Sequence, residues 1–183
     1  SAVCSPSRYA TLTGRYAWRT WMRNWVLLEH MPLLVETERL TLPKMLKSQG
    51  YLTGCIGKWH LGWGAKINPD FSKDVSPGPL EIGFDYFFGP AFSHNSSLKL
   101  QNFVRNRRIV GLRNGEDIEN SAVQKRLARK FEDTAIDLST EAVSFIRKNR
   151  DKPFFLYYPT TNIHFPITPN KRFQGKSDAG RYG

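Results

Sequence analysis

The chain has 183 residues, of which 40% are apolar and 13% aromatic, so it is long and apolar enough to bury a core. Its 27 Lys and Arg against 16 Asp and Glu give a net charge of +11, which suits a nucleic acid, an anionic surface or an anionic small substrate. The basic residues are interleaved with acids and no nucleic-acid motif accompanies them. No apolar run approaches the roughly 20 residues of a membrane span. We expect a globular protein with no nucleic-acid partner and no membrane span.

The first third of the chain predicts two helices and a strand. A helix is expected over 6–14, because Pro6 suits a first helical position and Gly14 suits the residue after the last. A second helix is expected over 41–49, with Thr41 as its N-cap and a glycine directly after it. Residues 51–56 then predict a strand. This strand contains Cys55, which we expect to be a buried thiol, since two cysteines do not make a disulfide framework.

The rest of the chain predicts a long loop, a long helix and a buried strand. Residues 65–97 are rich in Pro, Gly and Asn and are expected to form a surface loop. Apolar residues keep helical spacing over 125–148, and Pro153 ends this element. The continuous apolar run at 154–158 is typical of a strand that is buried on both faces. This order of elements predicts an α/β fold with a mostly parallel sheet flanked by helices.

The most informative stretch lies at 4–15 and reads CSPSRYATLTGR. It places the thiol of Cys4 just before a predicted helix N-terminus, where unpaired N–H groups favour anions. Arg8 lies one turn further on and can add a guanidinium to the same place. Taken alone, the stretch also fits a plain helix with a buried cysteine and a surface arginine.

Two further stretches combine polar groups with predicted strand ends. The sequence GKWHLG at 57–62 places Lys58 and His60 on a glycine-flanked loop after a strand, where active-site groups often lie. An ammonium there can hold an anionic oxygen, and an imidazole can shuttle a proton near neutral pH. The sequence NIHFP at 162–166 places His164 directly after the predicted strand at 154–158.

A weaker stretch reads GFDYFFG at 83–89 and leads to Ser93 and His94. Together with C-x-P-S-R-x-x-x-L-T-G-R at 4–15, GKWHLG and NIHFP, it resembles the motifs of the sulfatase family in their family order. The resemblance covers essentially the whole chain. It implies a partial alkaline-phosphatase-like fold and a sulfuric ester hydrolase of the arylsulfatase type.

The resemblance also implies a nucleophile and cofactors. Cys4 would be converted to formylglycine by a maturation enzyme that reads C-x-P-x-R. The hydrated aldehyde would bind calcium or another divalent cation, attack sulfur through one hydroxyl and release sulfate through the other. In its modified form Cys4 would therefore also be a metal ligand.

The same resemblance implies roles for five further residues. Arg8 and Lys58 would hold the sulfate oxygens, and Ser93 would contact the sulfate. His164 would protonate the departing alcohol and contact the substrate. His60 would help deprotonate the second hydroxyl. Lys58, Ser93 and His164 are thus the expected substrate-binding residues, and Cys4, Arg8, Lys58, His60 and His164 the expected catalytic ones.

The remaining calcium ligands of sulfatases, an acidic pair upstream and an Asp-Asn pair downstream, find no match within 1–183. We therefore expect residues 1–183 to be the central part of a catalytic domain, truncated at both ends and inactive in isolation. The family suggests a periplasmic, secreted or lysosomal location. Two alternatives stay open: a phosphatase or phosphonate monoester hydrolase of the same superfamily, and a non-catalytic anion-binding module.

Overall fold

A computed structural model describes residues 2–162 and 164–182. Ser1 and Gly183, the ends of the predicted domain, and Ile163 of the NIHFP motif lie outside the described residues. No helix in the described part of the chain is long and apolar enough to cross a membrane.

The centre of the fold is a five-stranded sheet with the order β4-β3-β2-β1-β5. β1 pairs in parallel with both β2 and β5, whereas β3 pairs antiparallel with both β2 and β4. The three longer strands therefore form the predicted parallel sheet, and two very short strands extend it on one side. The strands are β1 (Leu52–Ile56), β2 (Tyr86–Gly89), β3 (Val104–Arg105), β4 (Arg108–Ile109) and β5 (Phe154–Tyr157).

In the described part of the chain, four α-helices accompany the sheet: α1 (Cys4–Thr13), α2 (Leu42–Ser48), α3 (Ser121–Leu127) and α4 (Thr134–Asn149). The first begins at Cys4, two residues before the predicted start. Pro6 still lies in its first turn, where a missing N–H breaks no helical hydrogen bond. The predicted N-cap of α2 is confirmed, because the hydroxyl of Thr41 accepts a hydrogen bond from the Lys44 N–H at 3.3 Å.

The prediction of one helix over 125–148 is wrong, because the chain leaves the helical conformation at Ala128, whose ψ is 127°. The next residue, Arg129, is 8% exposed, and its N–H donates to the carbonyl of Gln101 at 2.7 Å. This tertiary hydrogen bond replaces a helical one. The apolar spacing continues across the break, which explains why the sequence pattern does not reveal it.

The prediction of a surface loop over 65–97 is also wrong, because β2 lies within it and many of its residues are buried. The prediction fails because the strand has only four residues and the glycines and prolines around it dominate the local composition. The run at 154–158 does form a strand, but the residues of β5 are only partly buried. β5 lies at one edge of the described sheet, so one side of it is open.

The core lies on both faces of β1. On one face, α4 packs so closely that a Cβ at Gly54 would lie 2.7 Å from a ring carbon of Phe145. On the other face, Cys55 joins the large aromatic cluster around Trp59 and Phe87. Cys55 is 0% exposed, which confirms the predicted buried thiol, and burial raises its pKa.

Gly62 and Gly50 offer a matched test of how tightly the loop after β1 is packed. Both have a positive φ, +81° and +83°, but a Cβ at Gly62 would lie 1.9 Å from the carbonyl oxygen of Pro32, whereas a Cβ at Gly50 would meet nothing within 4 Å. We predict that Gly50→Ala lowers the free energy of unfolding by about 1–2 kcal/mol, from backbone strain alone. Gly62→Ala should cost about 4 kcal/mol or more, since backbone must also move. Urea unfolding of both variants measures the difference, and equal losses would contradict this packing.

Candidate active site

The candidate site lies where β1, β2 and β5 end at the same edge of the sheet, a common place for ligand sites in α/β folds. The segments after these strands are bonded to one another. The N–H of Lys58, after β1, donates to the carbonyl of Pro159, after β5, at 2.8 Å. The N–H groups of Trp59 and His60 donate to carbonyls of the segment after β2, those of Pro90 at 3.0 Å and Ala91 at 3.1 Å. These bonds set the relative positions of three loops.

The N-terminus of α1 is docked on the same edge. The hydroxyl of the fully buried Ser5 donates to the carbonyl of His60 at 2.8 Å and accepts from the N–H of Leu27 at 3.1 Å. Arg8 donates from Nη1 to the carbonyl of Lys58 at 2.6 Å. The helix that begins with Cys4 is thereby attached to the loop that carries Lys58 and His60.

Lys58 is the centre of the site. Its side chain is buried, with the residue 2% exposed, and its Nζ lies 3.1 Å from Sγ of Cys4 and 3.3 Å from Oγ of Ser93. Burial lowers its pKa, and the contact with Cys4 opposes this shift. Within residues 2–162 and 164–182 it forms no ion pair with a carboxylate. A buried charge without a counter-ion is costly, so this ammonium favours the binding of an anion.

Ser93 connects Lys58 to His164. Its Oγ lies 3.1 Å from Nε2 of His164, while Nδ1 of His164 lies 2.6 Å from the carbonyl oxygen of Phe165. A carbonyl only accepts, so Nδ1 carries the proton and Nε2 accepts one from the Ser93 hydroxyl. Partial burial, together with the charges of Lys58 and Arg8, lowers the pKa of His164. The structure thus brings four predicted residues, Cys4, Lys58, Ser93 and His164, into one chain of contacts.

His60 is more deeply buried than its predicted role as a proton shuttle near neutral pH requires. It is 5% exposed, and burial followed by the charge of Lys58 lowers its pKa to about 3. Its Nε2 lies 2.9 Å from the carbonyl oxygen of Leu27 and therefore carries the proton. Its Nδ1 is buried and has no partner in the described part of the chain. The imidazole is neutral at neutral pH and offers one lone pair as a base.

A cavity of about 750 Å³ opens at this edge, and Cys4, His60, Ser93 and His164 line it. Lys58 is not part of the cavity wall, but it contacts two residues that are. The cavity is therefore large enough for a small molecule, and the ammonium of Lys58 lies directly behind the thiol of Cys4 in its wall.

Arg129 supports the site and is not identified by the sequence, where it reads as one of several exposed basic residues. Its Nη1 donates to Nδ1 of His94 at 3.3 Å and to the hydroxyl of Thr134 at 2.8 Å, and its Nη2 donates to the carbonyl of His94 at 3.0 Å. Nε2 of His94 in turn lies 3.0 Å from the hydroxyl of Thr168. Arg129 thus holds the segment that follows Ser93. Burial lowers its own pKa to about 10, and burial with the charge of Arg129 lowers that of His94 to about 4.

The described residues do not form a calcium site by themselves, and the prediction places every ligand other than residue 4 outside this chain. Among residues 2–162 and 164–182, no group of three or more His, Cys, Asp and Glu side chains is arranged to hold a metal ion. Cys4 is in hydrogen-bonding contact with a lysine, and no carboxylate accompanies it there. A cation at Cys4 would need ligands from beyond these residues.

Comparison with known proteins relates these motifs to one family. A family model described as Sulfatase matches residues 1–182. The chain is 33% identical to an N-acetylgalactosamine-6-O-sulfatase of Bacteroides thetaiotaomicron, over 100% of the chain and 43% of that protein. It is 32% identical to the human N-acetylgalactosamine-6-sulfatase, over 99% of the chain and 34% of that protein. The chain therefore spans less than half the length of these relatives.

Solved structures give the same result. A sulfatase structure from work on glycosaminoglycan metabolism by Bacteroides thetaiotaomicron superposes with a TM-score of 0.88 at 32% identity, covering 99% of this chain and 45% of that one. The PsFucS1 sulfatase from Pseudoalteromonas sp. superposes with a TM-score of 0.68 at 23% identity, covering 97% and 38%. The second similarity supports the fold alone, and both support the predicted partial alkaline-phosphatase-like fold.

Arg129 and Arg126 offer a matched test of the supporting contacts. Arg129→Lys should lower the free energy of unfolding by about 2 kcal/mol, because one ammonium cannot replace a planar fork that reaches three acceptors. Arg126 is 37% exposed and pairs with Glu116, so Arg126→Lys should cost less than about 0.5 kcal/mol. Chemical denaturation of both variants checks this, and a loss from Arg126→Lys as large as that from Arg129→Lys would contradict it.

Proposed function

This chain belongs to the sulfatase family, and on that premise we propose that it forms part of the active site of a sulfuric ester hydrolase. The observation that carries the proposal is the buried ammonium of Lys58, which contacts Cys4 and lacks a carboxylate partner among the described residues. Because the chain spans less than half of its relatives, the activity is proposed for the whole protein that contains it.

Two cations and a helix terminus would bind the sulfate group. Lys58 contacts Cys4 in the first turn of α1. Arg8 does not line the cavity; it donates to the Lys58 carbonyl, and its Nε is buried with no partner in the part of the chain that the structure describes. The N–H groups of that turn add further positive potential. Fixed donors of this kind stabilise the charge that develops on sulfate oxygens during transfer. Ser93 would contact the same group, since its hydroxyl already accepts from Lys58.

Cys4 would carry the formylglycine, made by a maturation enzyme that reads the C-x-P-x-R motif at 4–8. The hydrated aldehyde supplies one hydroxyl for attack on sulfur and a second for release of sulfate. Cys4 suits this role because it is partly exposed at the cavity wall, whereas Cys55 is fully buried. Calcium or another divalent cation remains part of the proposal, with its other ligands outside residues 1–183. Inactivity of the isolated chain remains a prediction.

Each of the two histidines would transfer a proton: His164 would give one to the departing alcohol, and His60 would take one from a hydroxyl at position 4. The lowered pKa of His164 makes its imidazolium a stronger acid, so once Nε2 has taken up a proton it would give that proton to the departing alcohol. His60 keeps an unprotonated, unpartnered Nδ1 and would accept the proton of a hydroxyl at position 4. Burial and the charge of Lys58 keep it neutral, so the lone pair is free across the neutral range, but the same low pKa makes His60 a weak base.

The first prediction for this function concerns Cys4. In a host that has the maturation enzyme, the full-length protein should lose mass at Cys4, where thiol becomes aldehyde, and not at Cys55. Mass spectrometry of the two tryptic peptides provides both the measurement and its internal control. Pro6→Ala and Arg8→Ala should lower the converted fraction, because both residues belong to the recognition motif. An unmodified thiol at Cys4 in fully active enzyme would refute the mechanism.

The second prediction concerns His164. His164→Ala in the full-length protein should lower kcat roughly 10²–10⁴-fold for an aryl sulfate with a poor leaving group. The loss should shrink for a nitrophenyl sulfate, because a good leaving group needs less protonation. Equal losses for both esters would contradict the proton-donor role. Aryl phosphates of matched leaving group provide the comparison with the phosphatase alternative, which would be favoured if they were hydrolysed faster than the sulfates.

A further inference from the structure

Four large aromatic side chains within residues 16–25 are exposed to solvent, in contrast to the buried tryptophans of the core. Their exposed fractions are 64% for Tyr16, 54% for Trp18, 52% for Trp21 and 71% for Trp25. The rings of Tyr16 and Trp18 are stacked, with centroids 6.1 Å apart and an angle of 14° between their planes. We refer to these four residues as the aromatic platform. An exposed aromatic patch of this kind usually marks a binding surface.

Three of the four platform residues line cavities that connect them with the candidate active site. Trp25 lines the 750 Å³ cavity that contains Cys4. It also lines a second cavity of about 210 Å³, together with Tyr16 and Trp18, and Val3 belongs to the walls of both. A ligand group at Cys4 could therefore continue over Trp25 towards Tyr16 and Trp18 without leaving the surface.

Two arginines beside the platform give its surroundings a positive charge. The guanidinium of Arg19 lies 5.3 Å from the centroid of the Trp18 ring, and Arg23 lines the smaller cavity and donates to the Trp18 carbonyl at 3.4 Å. In the described part of the chain, neither arginine forms an ion pair with a carboxylate. The sequence over 16–28 contains no acidic residue; Glu29, which lines the larger cavity, accepts hydrogen bonds from Ser97. Both charges are therefore available to an anionic ligand.

We propose that the aromatic platform binds the neighbouring sugar units of a sulfated carbohydrate chain whose reacting sulfate lies at Cys4. The C–H face of a sugar ring is apolar and packs on an aromatic ring, while the planar guanidinium groups of Arg19 and Arg23 pair with further sulfates. A purely apolar partner would leave both arginines desolvated and unpaired, which is unfavourable. The inference rests on the proposed function, since it assigns the substrate class of the same site.

The test measures binding and turnover separately in the full-length protein. Calorimetry compares sulfated tetrasaccharides of several backbones (chondroitin sulfate, heparin and carrageenan), their desulfated forms, and single-stranded DNA of equal charge. Trp18→Ala removes one ring of the platform, and Arg23→Gln removes one of the two cations beside it. The controls are Tyr51→Ala and Arg150→Gln, which change an exposed ring and an exposed cation near the opposite ends of β1 and β5.

We expect Trp18→Ala and Arg23→Gln each to weaken binding of the preferred sulfated tetrasaccharide about 10-fold, and the control variants to leave it within 2-fold. Turnover of nitrophenyl sulfate, which is too small to reach the platform, should stay unchanged in all four variants. The inference is overturned if neither platform variant weakens glycan binding, or if DNA or the desulfated forms bind as tightly. Absence of any sulfate ester hydrolysis by the wild type would instead refute the proposed function. The binding comparison between the platform variants and the controls would still decide whether the platform binds sulfated carbohydrate.

Discussion

The site depends on one unfavourable arrangement, a lysine ammonium buried at the end of the central strand with no carboxylate beside it in the described chain. Lys58 is 2% exposed, and its hydrogen-bond partners there are the thiol of Cys4 and the hydroxyl of Ser93. Neither group neutralises the charge, so the free-energy cost of burying it must be offset by favourable interactions elsewhere in the fold. A bound anion removes that cost. The same physical argument supports the proposal that a sulfate group binds here. Burial, together with the charge of Lys58, also lowers the pKa of His60 and of His164.

The fold holds this ammonium in place through backbone contacts. Parallel pairing of β1 with β2 and β5 brings three loops to one edge, and hydrogen bonds between their backbones fix the position of Lys58. Ser5 and Arg8 attach α1 to the same loop, which places Cys4 against the ammonium. Because carbonyls of the fold determine both ring tautomers, Nε2 of His164 and Nδ1 of His60 remain unprotonated and can take up a proton.

The sequence places Cys4, Lys58 and His164 at helix and strand ends, and the structure brings them together through Ser93, whereas their roles remain proposals. It predicts the N-cap of α2 and the strands β1 and β5, since these depend on local pattern. It does not predict Arg129, because a buried arginine and an exposed one look alike in a basic stretch. Nor does it predict β2 or the break before α4, which depend on hydrogen bonds to distant segments. The low pKa of His60 likewise arises only from tertiary burial.

A crystal structure of the full-length protein with inorganic sulfate tests the central claim most directly. The account predicts a sulfate whose oxygens lie within hydrogen-bonding distance of Lys58 Nζ and Ser93 Oγ, next to residue 4, with the ammonium turned from the side chain at position 4 to the anion. Binding should be lost in Lys58→Met, which keeps the length of the side chain without its charge. Sulfate bound elsewhere, or bound with equal affinity by Lys58→Met, would contradict the claim that the buried ammonium creates the site.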